Sequence, residues 1–214
     1  ERVDYISSFF KNYCTKCNTV LDLACGTGSV SKYLADLGYN VIGIDLSDEM
    51  LTVASSKQIN GATFIKGDMS CFELPYNVDA CVCSLDSINH LKDIEEVKKC
   101  FDCVYNSLND GGVFVFDVNT VYKHKEVLGD NTFVFDEDDF FLSWDNEYLG
   151  DNTVRILLDF FVFNGKNYDR FSEEFNEKAY TAEELKNVLN KFHIIGIYDE
   201  MTLDNVKDDS ERIY

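Results

Sequence analysis

Residues 20–28, Val-Leu-Asp-Leu-Ala-Cys-Gly-Thr-Gly, run an apolar strand straight into a glycine turn. A helical stretch follows, with Val30, Tyr33, Leu34 and Leu37 on one face and Gly38 as its stop. Strand, tight turn and helix in that order make half of a βαβ unit, and the pattern recurs. Residues 40–45, 62–66, 78–84 and 113–118 are short apolar runs of strand type. Helical spacing occupies 48–56, and a longer helix carries Ile94, Val97, Phe101, Val104, Tyr105 and Leu108 before Gly111-Gly112 closes it. Val3, Ile6, Phe9, Phe10 and Tyr13 mark an opening helix. Strands separated by helices imply right-handed crossovers and an α/β fold with a doubly wound, mostly parallel sheet.

After Asn119 the periodicity changes. Residues 132–136, 140–147, 153–163 and 168–178 are strand-like runs separated by Asp-Asn, Gly-Asp-Asn and Asn-Gly turn signals. They predict an antiparallel β cap at 120–178, inserted into an α/β domain formed by 1–119 and 179–214. Thr181-Ala182-Glu183-Glu184 is a capping box that starts a helix expected to reach Lys191, and 192–198 reads as a strand returning to the main sheet. Residues 210–214 read as a last strand cut short, and the opening helix lacks a Met, so both ends look trimmed from a longer protein.

The 214 residues suit one domain with a modest insertion. With 39 acidic residues against 19 basic ones, the formal charge is -20. Nucleic-acid and anionic-membrane partners, which need a Lys/Arg surface, are therefore disfavoured. No apolar run approaches the ~20 residues that span a bilayer, and no signal peptide opens the chain. Cys14/Cys17 and Cys100/Cys103 each form a C-x-x-C, but the pairs lack the separation of a zinc ribbon, so no metal is expected. Eight cysteines read as small buried hydrophobes in a reducing, cytoplasmic setting.

Gly26 and Gly28 allow a close backbone approach to a ligand at a helix N-terminus. A dinucleotide loop carries a third glycine where Ser31 stands. Asp22 separates the ligand classes further: a carboxylate repels a pyrophosphate but attracts the sulfonium and ammonium of S-adenosylmethionine. Its competing role is a turn cap. Asp45 ends the second strand, where a carboxylate can accept both hydroxyls of an adenosine ribose. Its competing role is a charge at a helix N-terminus, with Ser47 as the cap. Leu46 and Met50 are then candidates for the adenine face. In Gly67-Asp68-Met69, after the third strand, Asp68 can accept from the adenine amino group while the Met69 N–H meets a ring nitrogen.

Taken in order, residues 22–28 (Asp-Leu-Ala-Cys-Gly-Thr-Gly), 43–47 (Gly-Ile-Asp-Leu-Ser), 67–69 and 74–76 (Leu-Pro-Tyr) resemble the class I S-adenosylmethionine-dependent methyltransferases across nearly the whole chain. The resemblance implies a Rossmann-like methyltransferase sheet of the seven-stranded type, with S-adenosyl-L-methionine across the carboxyl ends of the first two strands. It implies Asp22, Ala24, Cys25, Gly26, Gly28, Asp45, Leu46, Met50, Asp68, Met69, Leu85 and Asp86 as cofactor neighbours. His90, in the same segment as Leu85 and Asp86, is the candidate general base; its competing role is packing at the start of the next helix. The layout from 120 onward is similar to bacterial amino-sugar N,N-dimethyltransferases, which implies a cap roofing the active site. Trp144, Tyr148 and Phe161 are its candidate lining residues, with core packing the competing role, and 136–139 reads as a solvated acidic turn.

The function so implied is methyl transfer to a small-molecule acceptor. An amine is compatible, because a neutral amine needs no strong base before it attacks. A nicotinamide-dependent oxidoreductase and a non-catalytic cofactor-binding regulatory module are the alternatives. A monomer or homodimer fits either reading.

Overall fold

The computed structural model describes residues 2–214. In chain order, α1 (Arg2–Tyr13), β1 (Thr19–Leu23), α2 (Ser29–Asp36), β2 (Asn40–Asp45), α3 (Asp48–Ser56), β3 (Ala62–Lys66), β4 (Val78–Cys83), α4 (Ile94–Ser107) and β5 (Leu108–Phe116) form an α/β unit. Its sheet is parallel, five-stranded and ordered β3-β2-β1-β4-β5. The order reverses between β1 and β4, so the crevice at their carboxyl ends is the switch point where open α/β sheets take ligands.

Side chains on successive residues of a strand point to opposite faces, and here both faces are buried. Leu21, Leu23, Ile42, Ile44, Cys81 and Cys83 pack beneath Val97, Phe101 and Val104 of α4. Val20, Val41, Ala80 and Val82 pack on the other face with Ile6, Phe9 and Phe10 of α1 and Leu34 of α2. Caps set where the helices begin: Ser47 accepts from the Met50 N–H at 3.2 Å, and Asp93 from Glu96 at 2.9 Å.

The rest of the chain adds β6 (Val118–Asn119), β7 (Thr132–Asp136), β8 (Phe140–Gly150), β9 (Thr153–Phe163), β10 (Tyr168–Lys178), α5 (Ala182–Val188) and β11 (Arg212–Ile213). Strands β7 to β10 form a separate antiparallel meander. Asp151 and Asn152 join β8 to β9 with φ of 49° and 59°, the two left-handed residues that a tight hairpin turn requires. Leu128, Val154 and Ile156 form the small core of this sheet. Trp144 and Tyr148 pack against that core, and Phe161 lies against Phe141 at 6.1 Å, so all three serve packing. The sheet is rooted on one side chain. Asn89 donates to the Asn119 and Lys178 carbonyls at 3.1 and 3.0 Å and accepts from the Asn119 N–H at 2.9 Å.

Four expectations need correction. The main sheet has five strands rather than seven, and β6 and β11 form a separate antiparallel pair. The break falls at Asp117, whose carboxylate is committed to backbone amides and Arg212. Residues 192–198 form no strand. Phe192 instead buries its ring against Tyr105 and Phe114, at 5.4 and 5.9 Å, and the Tyr198 ring folds over the bare Cα of Gly196. Beyond it, Tyr198 and Tyr214 exchange two backbone hydrogen bonds, each 3.0 Å. The last helix stops at Val188 rather than Lys191, because Leu189 and Phe192 close a turn around Asn190, a poor helix former. Finally, β5 starts at Leu108; its residues 109–112 bulge out between the Val78–Leu108 and Ala80–Val113 pairs. Among the described residues no helix is long and apolar enough to cross a membrane.

Candidate functional site

The glycine loop turns sharply because three of its five residues are left-handed: Ala24 at φ 58°, Gly26 at 52° and Gly28 at 74°. Ala24 in that region is uncommon for a residue with a side chain, and such strain gathers at binding loops. The two glycines do different work. A Cβ at Gly28 would strike Phe64 at 2.8 Å, so packing demands that glycine. A Cβ at Gly26 would meet nothing within 4 Å, so that glycine leaves bare backbone facing open space. Asp45 ties the loop to β2: one carboxylate oxygen accepts from the Gly26 N–H at 2.7 Å, the other from Ser47 at 2.9 Å. Each oxygen keeps a lone pair beyond those bonds.

Asp22 is buried beneath the loop and accepts from the Ser31 hydroxyl at 2.5 Å, which anchors the first turn of α2. Burial pushes its carboxyl up to about 7, with the Ser31 hydrogen bonds pulling the other way and the Asp45 charge adding to the rise. Burial also raises the Cys25 thiol, and the charges of Asp22 and Asp45 raise it further. Leu46 and Met50 stand exposed beside Asp45. Asp68 makes a tight turn, accepting from the Ser70 N–H and hydroxyl at 2.8 Å each, and Met69 packs half-buried against the core.

At the end of β4, Leu85 and Asp86 are both left-handed, with φ of 61° and 53°. Asp117, wholly buried, holds this shape by accepting both amides, at 2.9 and 3.1 Å. Arg212 pairs with Asp117 and, at 2.8 Å, with Asp86, while the Asn119 amide donates to Asp86 at 2.8 Å. The Asp86 carboxylate is therefore engaged by protein partners, and Leu85 is the exposed side chain of the pair. Burial raises the Asp117 carboxyl even though Arg212 opposes it. For Arg212, burial opposes the charge and the two carboxylates outweigh it.

His90 closes a 3₁₀ turn, Ser87–His90, that lies against β10. Its ring is half-exposed, rests 5.2 Å from the Phe175 ring and brings Nε2 to 3.7 Å from Glu177. Glu177 is buried between the two sheets, where the Asn119 amide donates to it at 3.3 Å. His124, in the helical turn Lys123–Leu128, is wholly buried with Nε2 at 3.6 Å from the other Glu177 oxygen.

The structure thus gathers Ala24, Cys25, Gly26, Gly28 and Asp45 in one bonded loop, with Asp22 underneath and Leu85, Asp86 and His90 on the neighbouring strand end. Asp117, Asn119, His124, Glu177 and Arg212 were missed. Asp117 and Asn119 carried a signal, since two polar residues interrupt the apolar run that ends β5. Nothing local marks the other three, which meet only through the fold.

Comparison with known proteins agrees with this geometry. A family model described as "Methyltransferase domain" matches residues 20–112. YqeM of Bacillus subtilis (strain 168), which carries the name methyltransferase, is 35% identical over 202 residues, covering 91% of this chain and 81% of its own. A crystal structure of an S-adenosylmethionine-dependent methyltransferase from Clostridium acetobutylicum ATCC 824 superposes with a TM-score of 0.93 at 35% identity, covering 99% of this chain and 88% of that one. A dTDP-3-amino-3,4,6-trideoxy-alpha-D-glucopyranose N,N-dimethyltransferase of Streptomyces venezuelae is 31% identical over 112 residues, 52% of this chain and 47% of its own.

Proposed function

This chain belongs to the S-adenosylmethionine-dependent methyltransferases, and from that premise we propose that its acceptor is a small molecule presenting an amine. The observation that carries the reading is the antiparallel sheet rooted at Asn119 and Lys178, beside the strand ends that bear the glycine loop. Such a roof suits a compact acceptor better than a polymer. The partial likeness to an amino-sugar N,N-dimethyltransferase supports the amine.

The loop fits the cofactor. Open space over Gly26 admits a ligand, Asp45 has lone pairs for ribose hydroxyls, and exposed Leu46 and Met50 offer an apolar face for adenine. Asp68 and Met69 stand for the adenine edge, and Leu85 with the Asp86 backbone for the methionine end. Asp22 acts from below, as a buried anchor for α2. When bound, S-adenosylmethionine supplies an electrophilic methyl on sulfur and leaves as a neutral sulfide. The protein's part is then orientation, since a well-placed amine needs little further activation. Eight free thiols support a reducing, cytoplasmic setting.

Calorimetry with S-adenosylhomocysteine tests the cofactor site. Asp45→Ala removes the ribose acceptor and frees Gly26, and the expected loss is roughly tenfold or more in Kd, about 1.4 kcal/mol. Unchanged affinity removes Asp45 from the site. For the acceptor, dTDP-linked amino sugars are incubated with methyl-labelled S-adenosylmethionine. Label should enter the amine, and label found only on added protein or nucleic acid overturns the small-molecule reading.

A further inference from the structure

Glu177 is the side chain through which the two halves of the molecule meet electrostatically. One of its oxygens faces the half-exposed His90 and the other faces the wholly buried His124. The proton positions follow from valence. The Asn152 carbonyl, 2.9 Å from Nδ1 of His124, can only accept, so Nδ1 carries hydrogen. A neutral ring would then turn a bare Nε2 toward a carboxylate oxygen whose one hydrogen bond comes from the Asn119 amide, two acceptors facing each other in the interior. Nε2 of His124 has no hydrogen-bond partner, and neither has the buried Oδ1 of Asn119, whose amide donates to Glu177. One additional proton, placed on Nε2 and shared electrostatically with Glu177, removes the clash.

Resting on the amine reading above, we propose that His90, Glu177 and His124 form a proton-handling chain, in which His90 is the base for the acceptor and Glu177 its positioning residue. Glu177, held ionised by a protonated His124, draws the remaining hydrogen of His90 onto Nε2. Nδ1 of His90, which has no hydrogen bond to protein among the described residues, is left as a bare lone pair on the half-exposed ring. After the amine nitrogen gains its methyl group it is positively charged. Its N–H bond breaks, the electron pair stays on nitrogen, and the proton moves to Nδ1 of His90. The imidazolium so formed faces Glu177 and passes its proton to solvent. The other charges nearby are Asp86, which shares the Asn119 amide with Glu177, and Arg212, which pairs with Asp86 and Asp117. Asn119 thus couples the chain to the polypeptide beside the cofactor loop.

Long-range nitrogen–hydrogen NMR of labelled imidazoles reads these states without an acceptor. The chain has three histidines, and exposed His193 serves as the internal reference. Spectra are recorded at about pH 8, above the ordinary titration range of imidazole. His124 should then show hydrogen on both ring nitrogens, and His90 the Nε2–H tautomer. In Glu177→Gln, His124 should lose its Nε2 hydrogen and His90 should divide between tautomers as His193 does. A neutral His124 in the wild type, or a His90 pattern that Glu177→Gln leaves unchanged, overturns the proposal. Should the variant not fold, the wild-type pattern decides alone. With whichever amino sugar turns over, His90→Gln should lower methyl transfer at least tenfold and leave S-adenosylhomocysteine affinity within twofold; equal rates remove His90 as the base. Failure to bind S-adenosylhomocysteine in the same samples would count against the cofactor site and not against the proton chain.

Discussion

Asp22 departs furthest from the behaviour of a carboxylate in water. Its folded value of about 7 stands above the ordinary 3.8, so the folded state favours the neutral acid. Stability from this group is therefore full below about pH 4 and is lost as pH rises through 7, the reverse of a salt-bridged aspartate. Asp22→Asn still accepts from Ser31 but cannot ionise. Urea unfolding from pH 4 to 8 should show a shallower decline for the variant than for the wild type, and parallel curves would mean that Asp22 is not desolvated. The sequence marked Asp22 by its place before the glycines, yet its partner was hidden. Ser31 was notable only as a glycine missing from a dinucleotide pattern. In the fold, its hydroxyl is what makes a buried acid tolerable. Asp86 shows the opposite case: its position was legible, while the cation that engages it, Arg212, lies 126 residues on (212 − 86) and only the completed chain brings it near.

At the scale of elements, short strands set between clear turn signals were the easiest to read. Apolar runs bounded by turns leave few other options, and β2, α3, β3, β7, β9 and β10 lie where the patterns put them. The carboxyl-terminal stretch was harder. Its apolar residues 192–198 look like a strand, but two large rings, Phe192 and Tyr198, find better burial against α4, β5 and α1 than in a ladder. Whether an apolar run pairs or packs depends on neighbours far away in sequence. The joint between the sheets is a second element-scale feature, and it depends on Asn89. Asn89→Ala removes three hydrogen bonds at a wholly buried position and strands backbone groups at roughly 1–3 kcal/mol each. Hydrogen exchange should show protection lost first at Asn119 and the end of β10, with β1 and β2 retained. Uniform loss across both sheets would show that they unfold as one unit.

The whole molecule carries a formal charge of -20, and most of its ion pairs are exposed ones that add little. Self-repulsion on that scale weakens the compact state. Raising sodium chloride from ~10 to ~150 mM shortens the screening length from ~30 to ~8 Å, and the melting temperature should climb with it. A flat or falling profile would mean that the charges are already balanced locally. The same charge disfavours a nucleic-acid acceptor, so composition narrows the acceptor class without naming the acceptor. Burial at the glycine loop bears on something else, the working life of the catalyst. A loop proposed to cradle a methyl sulfonium keeps a cysteine within itself, and the thiolate form is the one that reacts with alkylating agents. Because burial and two neighbouring acids hold Cys25 as the neutral thiol, the loop can be reloaded with its reagent turnover after turnover without scarring itself.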